Sequence, residues 1–247
     1  MVQDYNIYSF SIKEYIRYIF EGLIGIGLLG ILFYKNLAGI LLLSPLVLIT
    51  LRRKKKDLVK KRKWQLNTEF RDGINSLSAA LSAGYSAEHS FIEAIKDLRR
   101  MYPKDAMIIK EFTYLVNRIQ MNVPIEKALK DLGDRSDLED IINFSEVFSI
   151  AKRTGGDLIR IIKTSSNLIS DKLQVKRDIM SIIAAKKLEA TIMKLVPLAI
   201  LCYLSITSPG LLDPLYNNLF GVLVMTILLV IYIITYVLID KITAIEV

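Results

Sequence analysis

Two long apolar blocks, residues 15–51 and 191–239, bracket a charged stretch, and this arrangement constrains the fold more than any other feature of the chain. A bilayer core takes about 20 apolar residues as a helix. Backbone groups in lipid must satisfy one another, so apolar runs of this length are read as helices. The C-terminal block holds two candidate spans, about 191–207 and 219–239. The second carries no charge and has Tyr232 and Tyr236 near one end. The first has Lys194 near its start, close enough to the end to reach the headgroups. It also has Pro197 inside, which predicts a kink. The N-terminal block reads as two spans, about 15–34 and 37–51, in a tight hairpin at Lys35-Asn36; one long tilted helix is the alternative. It has no small-x-small cleavage site and runs past the length of a cleavable leader, so it reads as a retained anchor. The chain therefore divides into an N-terminal membrane region (1–51), a polar domain (52–190) and a C-terminal membrane region (191–247).

Charge sets the orientation. Nine of the twelve residues from Arg52 to Lys63 are Lys or Arg, whereas 208–218 has none and a single Asp. The positive-inside rule places 52–190 in the cytoplasm and 208–218 outside, in the cell membrane. With four spans both termini are cytoplasmic; with three, the N-terminus is outside. The basic run also attracts anionic lipid headgroups. Nucleic-acid binding is the sharper reading of the same charge, but no aromatic interleaving or nucleic-acid motif accompanies it, and none is expected.

Residues 52–190 carry 28 Lys and Arg against 19 Asp and Glu. They show helical periodicity and no useful strand alternation. Phe70, Ile74, Leu77 and Leu81 lie on one helix face. Gly84 predicts a left-handed C-terminal cap, and Ser86 an N-cap for a helix with Phe91, Ile95 and Leu98 inside. Tyr102-Pro103 ends that helix. A third carries Ile108, Phe112, Leu115 and Ile119. Pro124 then opens a short helix ending near Leu132-Gly133. Ser136-x-x-Glu139 reads as a capping box for a helix with Ile141, Phe144, Phe148 and Ala151 inside. Gly155-Gly156-Asp157 is a stop and restart, with Asp157 as N-cap. From there Leu158, Ile161, Ser165, Leu168, Lys172, Val175, Ile179 and Ile182 continue without a breaker to Pro197. At 1.5 Å per residue, this helix and its span reach about 75 Å, long enough to carry displacement between cytoplasm and membrane. The predicted fold is an all-α integral membrane protein, with a cytoplasmic six-helix bundle between two pairs of transmembrane helices.

The chemistry-bearing signals are sparse. One cysteine, Cys202, and one histidine, His89, rule out a disulfide framework and point to no metal site. No phosphate-binding loop, nucleophile elbow or zinc-protease motif is present, and Gly155-Gly156 stands too isolated for a nucleotide loop. No cofactor and no catalytic residue is expected; the chain does not read as an enzyme. Arg17 and Glu21 are spaced as i,i+4 partners, and charges deep in the spans are too few for an ion path.

Several stretches together resemble the F-domain family of type II secretion systems, and within it the proteins of tight-adherence (Flp) pilus assembly. They are Leu81-Ser82-Ala83-Gly84-Tyr85-Ser86, Ala128-Leu129-Lys130-Asp131-Leu132 followed by Arg135, Ala151-Lys152-Arg153-Thr154-Gly155-Gly156-Asp157-Leu158, Ile169-Ser170-Asp171-Lys172, and Ala184 to Met193 leading to Pro197. The resemblance covers roughly residues 66–210. One departure is Asn122, near the place where the family usually has a glycine; Asn tolerates left-handed backbone, so the turn survives. The resemblance implies a platform protein that couples a cytoplasmic secretion or pilus ATPase to pilin subunits. It also implies pairing with a second F domain, in a sister subunit or another copy of this chain, because only one copy is present here. Arg135, Arg153, Asp157, Asp171 and Glu189 are the polar candidates for partner contact, each with a helix cap or surface ion pair as the plainer reading. A membrane-anchored sensor or nucleic-acid tether, and less readily a transporter, are the competing readings.

Overall fold

The computed structural model describes residues 4–35, 43–154, 157–216 and 218–243, and among these there are helices and no strand. The helices are α1 (Ile12–Tyr34), α2 (Leu46–Ser82), α3 (Ala87–Met101), α4 (Met107–Gln120), α5 (Ile125–Ser136), α6 (Glu139–Thr154), α7 (Leu158–Thr207), α8 (Pro209–Tyr216) and α9 (Leu219–Thr243). The chain forms two compact units. Unit 1 comprises Met1–Ser9 and Lys56–Val175; unit 2 comprises Phe10–Lys55 and Lys176–Val247. Among the described residues, α1, α7 and α9 are long and apolar enough to cross a bilayer.

The core of unit 1 is built on the predicted face of α2. Phe70, Ile74, Leu77 and Leu81 are all buried, against Phe91, Leu98, Phe112, Leu115, Phe144 and Phe148. Phe91 and Phe112 meet edge to face at 5.3 Å, as do Phe70 and Phe144 at 5.6 Å. Local signals act where expected. Gly84 has φ +90°, which a residue with a Cβ rarely adopts. Ser86 Oγ accepts the His89 N–H, and Asp157 Oδ1 accepts the Arg160 N–H, capping α3 and α7. Asn122 turns the chain with φ +62°. Gly155 and Gly156 lie outside the described residues.

Three expectations are corrected. First, α5 does not end at Leu132-Gly133 but runs to Ser136, with Pro124 just before its first residue. Second, Ser136 is no N-cap. Asp137 takes left-handed geometry (φ +49°) and donates its N–H to the Gly133 carbonyl, so the chain turns one residue after Ser136. Ser136 is buried and donates to Gly133 as well, and Glu139 reaches Lys172 instead of closing a capping box. Third, α7 buries Ile162, Ser166, Ile169 and Leu173, while the expected core positions Leu168, Val175 and Ile182 are exposed by 64, 56 and 73%. Two adjacent faces of α7 are about equally apolar, and polar contacts decide between them. Ser166 donates to Asn75 on α2, while Lys172 stands at the border of the buried face and reaches both Glu139 and Asp140.

In unit 2, α1 ends at Lys35, whose φ of +45° stops the helix, so the chain does not form one long helix through 15–51. Of the expected second span, residues 37–42 lie outside the described residues, and the remainder runs through Leu43 into α2. The connection 208–218 contains the short helix α8. Ile26, Phe33, Val47, Leu51, Met225 and Leu229 form the buried centre.

The register of α7 is directly testable. Leu173→Ala should cost about 3 kcal/mol because it leaves a cavity in a filled core, and Leu168→Ala less than about 0.5 kcal/mol, measured by denaturant unfolding of the full-length protein.

Candidate functional site

Arg135, the first partner candidate, emerges from α5 at the centre of a charged cluster in unit 1. Its Nη1 and Nη2 donate to Glu111 Oε1 and Oε2 of α4 at 3.0 and 2.6 Å, a bidentate pair. Its Nε donates to Asp131 Oδ2 at 3.0 Å. The guanidinium lies 5.5 Å from the centre of the Tyr114 ring, and Arg118 lies 5.7 Å from the same ring and 3.5 Å from Asp131. Tyr5 completes the cluster. Its hydroxyl donates to Glu111 Oε1 at 2.7 Å and its N–H to the Arg135 carbonyl at 3.2 Å. Close by in sequence, Arg62 donates to the Ile7 carbonyl and lies over the Tyr8 ring. The segment before α1 is therefore tied to unit 1, and Arg135 does internal work.

Burial disfavours the charge on Arg135, but its bonds to Glu111 and then Asp131 outweigh this and hold its pKa above the usual value. Burial, and then Glu111, raise the Tyr5 phenol well above its usual range. Tyr102 is raised in the same way by burial and by its 2.5 Å bond to Asp72. The bond to Asp140 raises Lys172 despite partial burial.

Polar side chains of α2 organise the rest of unit 1. Asn67 Nδ2 donates to Asp140 Oδ2 at 2.7 Å, and Lys172 Nζ donates to Asp140 Oδ1 at 2.7 Å and Glu139 Oε2 at 3.1 Å. Glu69 is buried and accepts the Ile108 N–H, capping α4 from outside because Ala106 has no side chain to do so. Ser76 donates to Asp97 at 2.6 Å. Glu69 also borders a cleft of ≈ 250 Å³ together with Gln65, Thr68, Tyr102 and Asp105. Among the described residues no group of three His, Cys, Asp or Glu side chains converges in a way that would hold a metal ion.

The other candidates are placed differently. Arg153 is exposed in the last turn of α6, and its neighbour Lys152 pairs with Glu126 of α5 at 3.3 Å. Asp157 is exposed and serves as the α7 cap. Asp171 is exposed on α7, one turn from Leu168. Glu189 belongs to unit 2 and pairs with Lys186 at 2.9 Å. No single cluster gathers these residues. Sequence reasoning missed Tyr5, Glu69, Glu111 and Asp140, whose partners are distant in the chain. It also missed Asp240, one residue past the last span, which pairs with Lys194 and lies 3.4 Å from Arg53.

Arg135→Ala should cost about 3 kcal/mol of stability in the full-length protein, because it leaves Glu111 buried and unpaired. Raised pKa values mean that the folded state holds protons more tightly than the unfolded chain. Stability from Tyr5, Tyr102 and Lys172 is therefore present in full below pH about 10 and falls as pH rises past it, where the unfolded tyrosines and lysine deprotonate first. A melting series from pH 8 to 11 should show this fall, shallower in Tyr5→Phe.

No curated protein and no solved structure matches the chain. The family model for protein F of the type II secretion system (T2SS) matches residues 74–206, more than half of the chain. The matched stretch begins on the buried face of α2 and ends in the last turn of α7. With three helices able to cross a bilayer and this match, the chain is a membrane protein belonging to the T2SS protein F family, whose role lies in secretion and pilus-assembly machinery.

Proposed function

We propose that the protein is the membrane platform of a tight-adherence (Flp) or related type IV-like pilus, or of a type II secretion machine, and that it couples a cytoplasmic ATPase to pilin movement. Family membership is the observation that carries this reading. Four spans with both termini and residues 52–190 in the cytoplasm are the topology we favour. The ion pairs of unit 2 support it by sorting into two groups. Lys35 pairs with Asp213, and Tyr216 donates to the Leu32 carbonyl, so the end of α1 meets the 208–218 connection. The second group comprises Arg53, Lys54, Lys194, Glu21 and Asp240, next to the basic run. Glu21 pairs here with Lys54 at 3.5 Å.

The cytoplasmic domain, a six-helix bundle in this reading, receives the ATPase on its exposed polar positions, with Arg153, Asp157 and Asp171 as contacts and Glu189 further along α7. Arg135 supports that surface from within. Leu168 and Val175 of unit 1, exposed and seven residues apart on α7, suit pairing with a second F domain. Pilins and anionic lipids are the remaining partners; nucleic acid and catalysis have no place in the scheme.

Two measurements test this. Full-length protein extracted in mild detergent should co-purify with the secretion ATPase encoded beside it, and Arg153→Glu/Asp171→Lys should lower recovery severalfold. Absence of association even after crosslinking would contradict the proposal. A tag at the N-terminus should be protected in right-side-out vesicles and one inserted at 211 accessible; the reverse would overturn the topology.

A further inference from the structure

Unit 2 contains a cleft of ≈ 610 Å³ walled by α1, α2, α7 and α9. Its inner part is apolar, formed by Ile26, Leu29, Leu51, Leu198 and Ile233. Two glycines of α1 shape it. A Cβ at Gly22 would meet Thr50 Oγ1 at 3.3 Å, so this residue lets α2 approach; a Cβ at Gly25 would meet nothing within 4 Å, so this residue faces open space. The other part is charged and aromatic. Arg53, Lys54, Glu21, Tyr18 and Tyr236 line it. Lys54 lies 5.3 Å from the Tyr18 ring centre and Lys194 4.4 Å from that of Tyr236. Tyrosines beside Lys and Arg are the side chains that settle at the headgroup level of a bilayer.

We infer that this cleft is a site for one anionic phospholipid, with the phosphate at Arg53 and Lys54 and an acyl chain along the apolar wall. Shape and charge argue together. A volume of this order suits a small amphipathic ligand and not a helix. Apart from Leu51, the apolar wall lies on α1, α7 and α9, the helices long and apolar enough to cross a bilayer, where acyl chains are the abundant solute. The ion pairs of Arg53 with Asp240 and of Lys54 with Glu21 are long and exposed, at 3.4 and 3.5 Å, and exchange at little cost. Arg52 and Lys55, their neighbours in sequence, add further positive charge. Basic pockets between spans on the cytoplasmic side are the kind that hold acidic headgroups. A built site of this sort is distinct from diffuse attraction of the basic run to a membrane surface, and it does not depend on the platform reading.

Native mass spectrometry of the full-length protein released from nanodiscs of mixed phosphatidylglycerol and phosphatidylcholine tests the site. The wild type should retain one phosphatidylglycerol in preference to phosphatidylcholine. Arg53→Gln and Lys54→Gln should each weaken that preference on the order of fivefold. Gly25→Phe, which fills the cleft without touching its charges, should abolish retention, whereas Gly27→Phe, the same change where a Cβ also meets nothing and outside the cleft lining, should not. Equal retention of both lipids, a preference that survives both Gln substitutions, equal behaviour of the two Phe variants, or a membrane peptide held in place of lipid would each overturn the inference.

Discussion

The unbroken helix α7, 50 residues from Leu158 to Thr207, is the constraint on which the rest of the structure depends. Each turn of a helix satisfies the backbone of the turn before it, so only the ends need outside partners. Asp157 supplies one at the N-terminus. Within the apolar stretch no water substitutes for a missing bond, which is why the chain stays helical through Pro197 despite the lost donor. The same helix gives unit 1 its buried face of Ile162, Ile169 and Leu173, and gives unit 2 Leu198 and Leu201.

Polar side chains select among the packings that apolar surface alone allows. The faces of α7 are interchangeable by hydrophobicity, yet Ser166 with Asn75 and Lys172 with Asp140 fit only one register. The Glu111–Arg135 pair has the same character. Burying it contributes little net stability compared with an apolar contact, but a wrong packing would leave either charge unpaired at a cost of several kcal/mol. Tyr5 extends the selection to the segment before α1. Unit 1 thus gains a defined surface, which a partner-binding role demands.

What was legible in the sequence follows from distance along the chain. The α2 core face, the Ser86 and Asp157 caps, Gly84 and Asn122 all rest on interactions within a turn or two, and local spacing displays these. The failures are of two kinds. At Ser136 a local motif competed with another local solution, the left-handed turn at Asp137, and lost. At α7 and Arg135 the deciding partner stands on another helix. Glu111 is 24 residues from Arg135 and 106 from Tyr5, and Glu69 is 39 residues from the helix start it caps. No periodicity encodes such pairs. The family resemblance was legible because it rests on order and spacing of short stretches, and the match over 74–206 covers all of them. Partner contacts were not legible, because a surface Arg153 or Asp171 carries the same local pattern whether or not anything docks on it.

If the protein couples an ATPase to pilin movement as proposed, α7, one helix from Leu158 to Thr207, is the element that would carry the displacement, and the most direct test is to change the helix without changing its ends. Inserting two alanines after Met180 rotates everything beyond by about 200°, whereas seven residues complete two turns to within about 20°. Coupling by a continuous helix predicts that pilin export, followed by surface pilin in cells expressing each variant at equal levels, is lost with two residues and largely retained with seven. Equal export from both variants would contradict it.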